Sequence, residues 1–453
     1  MHTRGFTRRN LFVRGAAALA LAPPSAAQAA CMAGTATIDI TPEKGLWMAG
    51  FARRTQPAQG TALPLKAKAL ALRSGNAHPA VLVTTDLLGL TARLTDAVAR
   101  EVRKRTGIPR SQLLFSASHT HCGPVIDEQL AVAYDLSPEQ WRRIRTYTAA
   151  LEKQLADLVT TAASTLRSAT LAFARGDVGF ARNRRVQFSP DGPVDHSVPI
   201  LRVNDAEGLL RAVVFGYACH NTTLQDTFVE YHGDYAGVAQ AELERRHPGA
   251  TGLFVAGCGA DANPNPRGTL ALVEAHGRAL ADAVDRTLPR ASSLTPGLRA
   301  SFETVTLPYE TADVRRRWRA GLNIEEVYLR RYDVLMQSVT ARNGRLPAIQ
   351  AAPVQVWQFG RHAESTAGSA LTLIALGGEP VVDYALRFAR EYPDRQLWAA
   401  GYSNDVFGYL PSRRIREEGG YEGADAMIYY GRPGPFTPDV EERIVREVRR
   451  LVR

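Results

Sequence analysis

Cysteine is scarce in this chain, with four residues in 453, at Cys31, Cys122, Cys219 and Cys258. That density excludes a disulfide framework and leaves room for one bridge, Cys219–Cys258, in an exported chain. No paired CxxC is present to build a structural zinc site. Past residue 30 no run is long and apolar enough to span a bilayer. A basic stripe interleaved with aromatics is missing too. The arginines are scattered, mostly over amphipathic segments such as 141–145 and 443–453, so nucleic acid is excluded as a partner. No internal repeat or low-complexity linker divides the chain.

What is present begins with an address. Thr7-Arg8-Arg9-Asn10-Leu11-Phe12-Val13 is a twin-arginine pattern, followed by an apolar run from Gly15 to Ala22 and a small-residue cleavage site at Ala27-Gln28-Ala29. This order predicts a Tat-type signal over residues 1–29 and an exported protein, periplasmic or secreted. The competing reading, a membrane anchor, needs a longer apolar run. The leader carries Arg4, Arg8, Arg9 and Arg14 and no acid, so the net charge falls from +10 to about +6 on its removal. Roughly 420 residues remain, enough for one large or two modest cores.

The mature chain alternates between short apolar runs and helical patterns. The runs at 80–85, 113–118, 212–219, 252–257, 371–377 and 396–402 are strand-like, several without polar alternation, as expected of strands covered on both faces. Helical periodicity fills about 94–106, 138–166, 235–246 and 268–286, and a last helix over 438–452 has Thr437 as N-cap and Pro438 at its first position. The alternation predicts an α/β fold: a mostly parallel central sheet flanked by helices, in a single large catalytic domain spanning 30–453. Runs at 169–176, 198–204 and 298–308 are expected to add antiparallel strands. The arginine-rich stretch 310–350 reads as a helical insertion at the surface, over the site.

Each of the six apolar runs ends in a polar, glycine-marked cluster. They lead respectively to Asp86; to His119-Thr120-His121-Cys122-Gly123-Pro124; to His220-Asn221; to Gly259-Ala260-Asp261-Ala262-Asn263-Pro264-Asn265; to Gly378-Glu379; and to Ser403-Asn404-Asp405 with Tyr409 beyond. In open α/β sheets ligands bind outside the carboxyl ends of the strands. Two imidazoles and a carboxylate suit zinc better than calcium or magnesium. On a strand, His119 and His121 share one face. His276, between Leu272 and Leu280 on a helix, reads as packed; His78, His196, His247 and His362 sit in polar or loop-like contexts. His232 stays open between the site and a helix start that Asp234 would cap.

At these residues the chain resembles the neutral/alkaline non-lysosomal ceramidases, in their N-terminal catalytic domain. Ser118-His119-Thr120-His121-Cys122-Gly123-Pro124 is close to that family's SHTHSGP. Ala218-Cys219-His220-Asn221-Thr222 looks like its second histidine motif, and His232-Gly233-Asp234-Tyr235-Ala236-Gly237 like its SGDxxG. Gly378-Glu379 is similar to its PGE, and Asn404 to Tyr409, then Tyr421-Glu422-Gly423, to its tyrosine-bearing loop. The resemblance implies that His119, His220, Glu379 and Tyr409 are zinc ligands, with His121 beside the metal. It also implies a substrate-contacting arginine at Asn183-Arg184. Two departures stand out: Asn263 occupies the place of the family's site serine, and the chain ends after a helix where the family continues into an immunoglobulin-like domain.

These residues imply hydrolysis of an amide or similar acyl bond, of a sphingolipid or another small-molecule or lipid substrate, by zinc-activated water. His121, Asn263, Asp261 and Tyr409 are the expected catalytic groups. Asn183, Arg184 and Asn265 are the expected substrate contacts. Asp86 and Asp261 are candidate acceptors for the imidazole N–H groups, against a plain capping or turn role. Asn263 can hydrogen-bond but cannot act as a hydroxyl nucleophile. That opens two alternatives: a zinc hydrolase of the same fold acting on a glycan, peptide or other N-acyl compound, and an exported binding protein with an inert metal site. A peripheral contact with a membrane is compatible with a lipid substrate.

Overall fold

The computed structural model describes residues 1–2, 31–43, 45–360 and 369–453. The expected leader over 1–29 and His362 lie outside the described residues, apart from Met1 and His2 at the leader's start. Eight strands build a large sheet: β1 (Cys31–Asp39), β2 (Lys66–Ser74), β3 (Ala80–Thr85), β4 (Leu113–Ala117), β5 (Arg167–Asp177), β6 (Ser197–Asp205), β7 (Leu210–Tyr217) and β8 (Thr251–Ala256). Their order is β8-β7-β6-β5-β1-β2-β3-β4, with Ser292–Ser293 added on β5. Four more, β9 (Leu298–Pro308), β10 (Ile349–Phe359), β11 (Leu371–Leu376) and β12 (Leu397–Ala400), make a second sheet in chain order. The principal helices are α1 (Ala92–Thr106), α2 (Pro138–Ser164), α3 (Asp234–Arg246), α4 (Leu270–Thr287), α5 (Ala312–Ala320), α6 (Glu326–Asn343), α7 (Val382–Glu391) and α8 (Val440–Val452).

The α/β class holds, but the expected mostly parallel sheet does not. Only β3–β4, β7–β8 and β11–β12 pair in parallel; the other pairs of both sheets are antiparallel. The expectation failed because unbroken apolar runs signal only that both faces are covered. Here the second face of the large sheet is covered by the other sheet, not by crossover helices. Side chains of successive residues point to opposite faces of a strand. Thus Val81 and Val83 of β3 face α1 and α2, Phe215 and Phe254 of β7 and β8 face α3 and α4, and Leu82, Val214, Leu253 and Val255 meet Trp357, Leu373 and Trp398 of the second sheet. On its outer side that sheet packs against α7 and α8 through residues such as Val354, Phe388 and Val448. The result is four layers, helix–sheet–sheet–helix, sharing one intersheet core.

Each parallel pair encloses a single helix, giving β3-α1-β4, β7-α3-β8 and β11-α7-β12. The large sheet curls until its two edge strands, β4 and β8, touch. Residues 401–404, just after β12, lace those edges together: Gly401 N–H donates to Ala256 (2.9 Å), Ala117 N–H to Tyr402 (3.2 Å) and Asn404 N–H to Phe115 (2.8 Å). All three parallel pairs therefore end at one place, and it is there that the polar clusters collect.

Local signals set the helix ends. Thr91 caps α1, which stops at Gly107 with φ 77°. Ser137 and Gln140 form a reciprocal capping box before α2, with Pro138 at the first position, an arrangement worth about 1 kcal/mol. Two expected caps differ. Helix α8 starts at Val440 with Asp439 as N-cap, because Thr437 Oγ1 donates instead to the Asp439 carboxylate (2.6 Å). Gly233 precedes α3, while Asp234 accepts from the N–H groups of Leu224 (2.9 Å) and Tyr235 (2.7 Å). The 310–350 insertion is helical as expected; α6 docks Tyr328, Leu329, Tyr332 and Met336 against Val132 and Ile428. All four cysteines are free and buried, so the Cys219–Cys258 bridge is not formed. No helix among the described residues is long and apolar enough to cross a membrane.

Candidate metal centre

His119 and His121 follow β4, and His220 follows β7. A bridge between Thr120 and Asn221 brings the two segments side by side. Glu379 follows β11 and pairs in register with Tyr409. These pairings juxtapose side chains far apart in sequence. His119 Nε2 lies 3.2 Å from Glu379 Oε2, and His220 Nε2 lies 3.3 Å from the same oxygen. Tyr409 OH is 3.3 Å from His220 Nε2, and His121 Nε2 is 3.2 Å from His119 Nε2. The nitrogens of His119, His121 and His220 all lie within 4.8 Å of one another, a group able to hold a metal ion.

Second partners decide the protonation. His119 Nδ1 donates to the Leu88 carbonyl (2.6 Å), and His220 Nδ1 to the Gly259 carbonyl (3.0 Å). A carbonyl only accepts, so the proton of each neutral ring sits on Nδ1 and Nε2 presents a lone pair. Burial, followed by the nearby Arg184 cation, pushes His220 down to about 4. Burial, with the His119 and His220 rings, holds His121 well below the usual histidine value. The Nε2 atoms of His119 and His220 and one carboxylate oxygen of Glu379 thus face one another. Accordingly Glu379 Oε2 is buried without a hydrogen-bond partner, which is costly for a charged atom. A tetrahedral ion bound at about 2.0–2.1 Å separates its ligand atoms by about 3.3 Å. The donor set, its spacing and the orphaned oxygen all fit a zinc-like cation.

Around this point the walls are aromatic. A cavity of about 350 Å³ is lined by His119, His121, Glu379 and Tyr409 together with Phe51, Tyr328, Tyr421, Tyr429 and Tyr430. Phe51 packs on His121 with ring centres 4.7 Å apart, and Tyr402 lies 4.3 Å from the His119 ring. Gly50 has φ 100°, and a Cβ there would collide with the His121 ring; only glycine lets that loop close over the site. No serine, threonine or cysteine lines the cavity among the described residues.

Residues 32–271, just over half the chain, match the model of the neutral/alkaline non-lysosomal ceramidase family, N-terminal region. The chain belongs to this family. Neutral ceramidase A of Dictyostelium discoideum is 24% identical over 262 residues, covering 52% of this chain and 36% of that protein, so the match spans about a third of that relative's length. Two solved structures share the fold at 16% identity and a TM-score of 0.71. One is described as "Ceramidase complexed with C2", covering 93% of this chain and 75% of that one. The other is a neutral ceramidase from Pseudomonas aeruginosa, covering 92% and 73%.

At this centre the structure brings together His119, His121, His220, Glu379 and Tyr409. Arg184 joins them, its Nη2 donating to Tyr409 OH (2.8 Å), and Asn263 Oδ1 lies 3.5 Å from Arg184 Nη1. Other candidates do not converge. Asp86 accepts from Lys66 N–H (2.9 Å) and Gln240 Nε2 (3.1 Å), and Asp261 from Val382 N–H (2.9 Å) and Asn183 Nδ2 (3.0 Å). Neither orients an imidazole, because backbone carbonyls already do. Asn183 is spent on Asp261, Pro193 (2.9 Å) and Arg185 N–H (2.9 Å). Asn265 is exposed and held by a backbone bond to Phe180 (2.9 Å); neither asparagine lines the cavity. His232 accepts from Asp234 N–H (2.9 Å) and is likewise absent from the lining. His276 packs against Phe180 with ring centres 4.4 Å apart, as its helix position predicted.

Sequence reasoning missed Tyr430, whose hydroxyl donates to Glu379 Oε1, together with Tyr402 and Phe51. Tyr402 follows β12, where the other site residues also follow strands, so that signal was available. Phe51 and Tyr430 come from loops with no strand-end mark.

Proposed function

We propose that this chain is a zinc-dependent hydrolase of an amide, or N-acyl, bond in a small-molecule or lipid substrate. The observation that carries this is the convergence of His119 Nε2, His220 Nε2, Tyr409 OH and the partnerless Glu379 Oε2 at 3.2–3.3 Å. Those four side chains would hold the ion. Zinc there would lower the pKa of water to about 7 and polarise an acyl carbonyl.

The chain's own residues supply the rest. Tyr430 ties down Glu379 Oε1, so that Oε2 would remain free to hold the ion. His121 lines the cavity beside His119, where it would contact substrate next to the ion. Arg184 fixes the Tyr409 hydroxyl. No serine, threonine or cysteine lines the cavity among the described residues, and water activated by the ion would be the attacking group. Phe51, Tyr328 and Tyr421 offer an apolar bed for an acyl chain.

Metal analysis of purified protein tests the reading. Wild type should carry about one zinc and His119→Ala none; unchanged zinc in the variant would falsify the ligand assignment. A smaller N-acyl substrate than ceramide is the second reading, favoured by a cavity of only about 350 Å³ and by Asn263 in the place of the family serine. Hydrolysis assays across acyl-chain lengths separate the two, since long-chain ceramides should be the poorer substrates if it holds. Export through the Tat route is part of the proposal, and cell fractionation checks it.

A further inference from the structure

Behind Tyr409 and Arg184 lie two charged residues, Glu422 and Arg185, that the chemistry above does not use. Glu422, 4% exposed, accepts from two consecutive arginines: Arg184 Nε on Oε1 at 2.7 Å and Arg185 Nη1 on Oε2 at 2.6 Å. Arg185, 2% exposed, is pinned further by Glu418 (2.9 Å) and the Gly419 carbonyl (3.0 Å), and its guanidinium lies 4.4 Å from the Phe188 ring. Burial alone would raise Glu422, yet Arg184 and Arg185 hold it below the usual carboxylate range. Each oxygen of Glu422 is therefore an ionised acceptor with a committed partner.

The consequence reaches the metal centre through Arg184. Its guanidinium is a rigid planar fork, so fixing one edge fixes the other. Glu422 holds the Nε edge, and Nη2 then donates to Tyr409 OH at 2.8 Å. The other contacts, Asn263 Oδ1 at 3.5 Å and the Tyr421 ring centre 5.7 Å from the guanidinium carbon, are too long or too undirected to orient the group unaided. We infer that Glu422 is a positioning residue for the metal site: it sets Arg184, Arg184 sets the Tyr409 hydroxyl, and Tyr409 completes the zinc ligand set. The inference rests on the proposed zinc site. Groups that orient metal ligands from behind are worth about 10–100-fold in metal affinity.

The experiment is chelator competition for zinc on the purified full chain, read as a dissociation constant, in a double-mutant cycle of Glu422→Gln with Tyr409→Phe. Thermal melts of the metal-free proteins report folding separately. Glu422→Gln should weaken zinc binding by about 10-fold in the wild-type background and by less than about twofold when Tyr409 is already Phe, because the two act in series. A general loosening of the fold would weaken zinc equally in both backgrounds, and that result overturns the inference, as does unchanged affinity in Glu422→Gln. Should Glu422→Gln fail to fold, Arg184→Lys takes its place in the same cycle with the same expectation, since lysine cannot bridge Glu422 and Tyr409. Wild type that binds no zinc would sink the zinc site itself, which keeps the two failures distinct.

Discussion

Two buried carboxylates at strand ends behave in opposite ways. Asp86, after β3, has both oxygens satisfied, by Lys66 N–H and Gln240, and burial raises its carboxyl above the ordinary value. Glu379, after β11, has one oxygen tied by Tyr430 and the other facing the Nε2 atoms of two imidazoles with no hydrogen-bond partner. Both are almost fully buried and both follow an apolar strand. What separates structure from function is therefore whether the polar atoms are satisfied. Asp86 closes its own hydrogen bonds and ties β2 to α3. Glu379 is left open, and its neighbours are open towards the same point.

Substitutions can break this contrast. The largest effect is expected for Glu379→Ala, which should abolish zinc retention, a loss of over about 100-fold, while leaving the metal-free melting temperature unchanged or raised, since an unpaired buried charge is removed. Calorimetry on stripped protein checks it; a large drop in stability would make Glu379 another Asp86. Next comes Asp86→Ala, which strands the Lys66 N–H and the Gln240 amide and should cost about 2–3 kcal/mol in urea unfolding. Zinc affinity per folded molecule should not move, and a matching loss of zinc would erase the distinction.

The smallest effect concerns Asp261, a second satisfied carboxylate. Burial pushes it from 3.8 up to about 6. Its folded-state value lies above the unfolded one, so the folded chain binds more protons between about pH 4 and 6. Stability then falls as pH rises through that window and levels off above it. Asp261→Asn should lack this component, so its stability difference from wild type should shift in its favour from pH 4 to 6 in urea titrations. A pH-independent difference would show that the carboxyl titrates normally.

Much of the site was legible because its residues carry a positional mark. His119, His220 and Glu379 each follow an apolar run, and the runs themselves were found to within a few residues. The errors share a cause. Asp86, Asp261, Asn183 and Asn265 carry a similar mark or sit beside one, yet their hydrogen bonds close locally, and no spacing in the chain shows which polar atoms find partners. Tyr430 and Phe51 went unseen for the complementary reason: they reach the site from loops whose path is set by packing.

The sequence by itself determined the α/β class, the strand and helix segments and the packed role of His276, because periodicity and residue chemistry are local properties. The tertiary structure alone decided that most strand pairs are antiparallel, that the large sheet curls until its edges meet, and which of many buried polar groups remain open. Strand direction and hydrogen-bond closure depend on partners from other elements, such as Gln240 for Asp86 and Tyr430 for Glu379, and a one-dimensional pattern does not encode who those partners are.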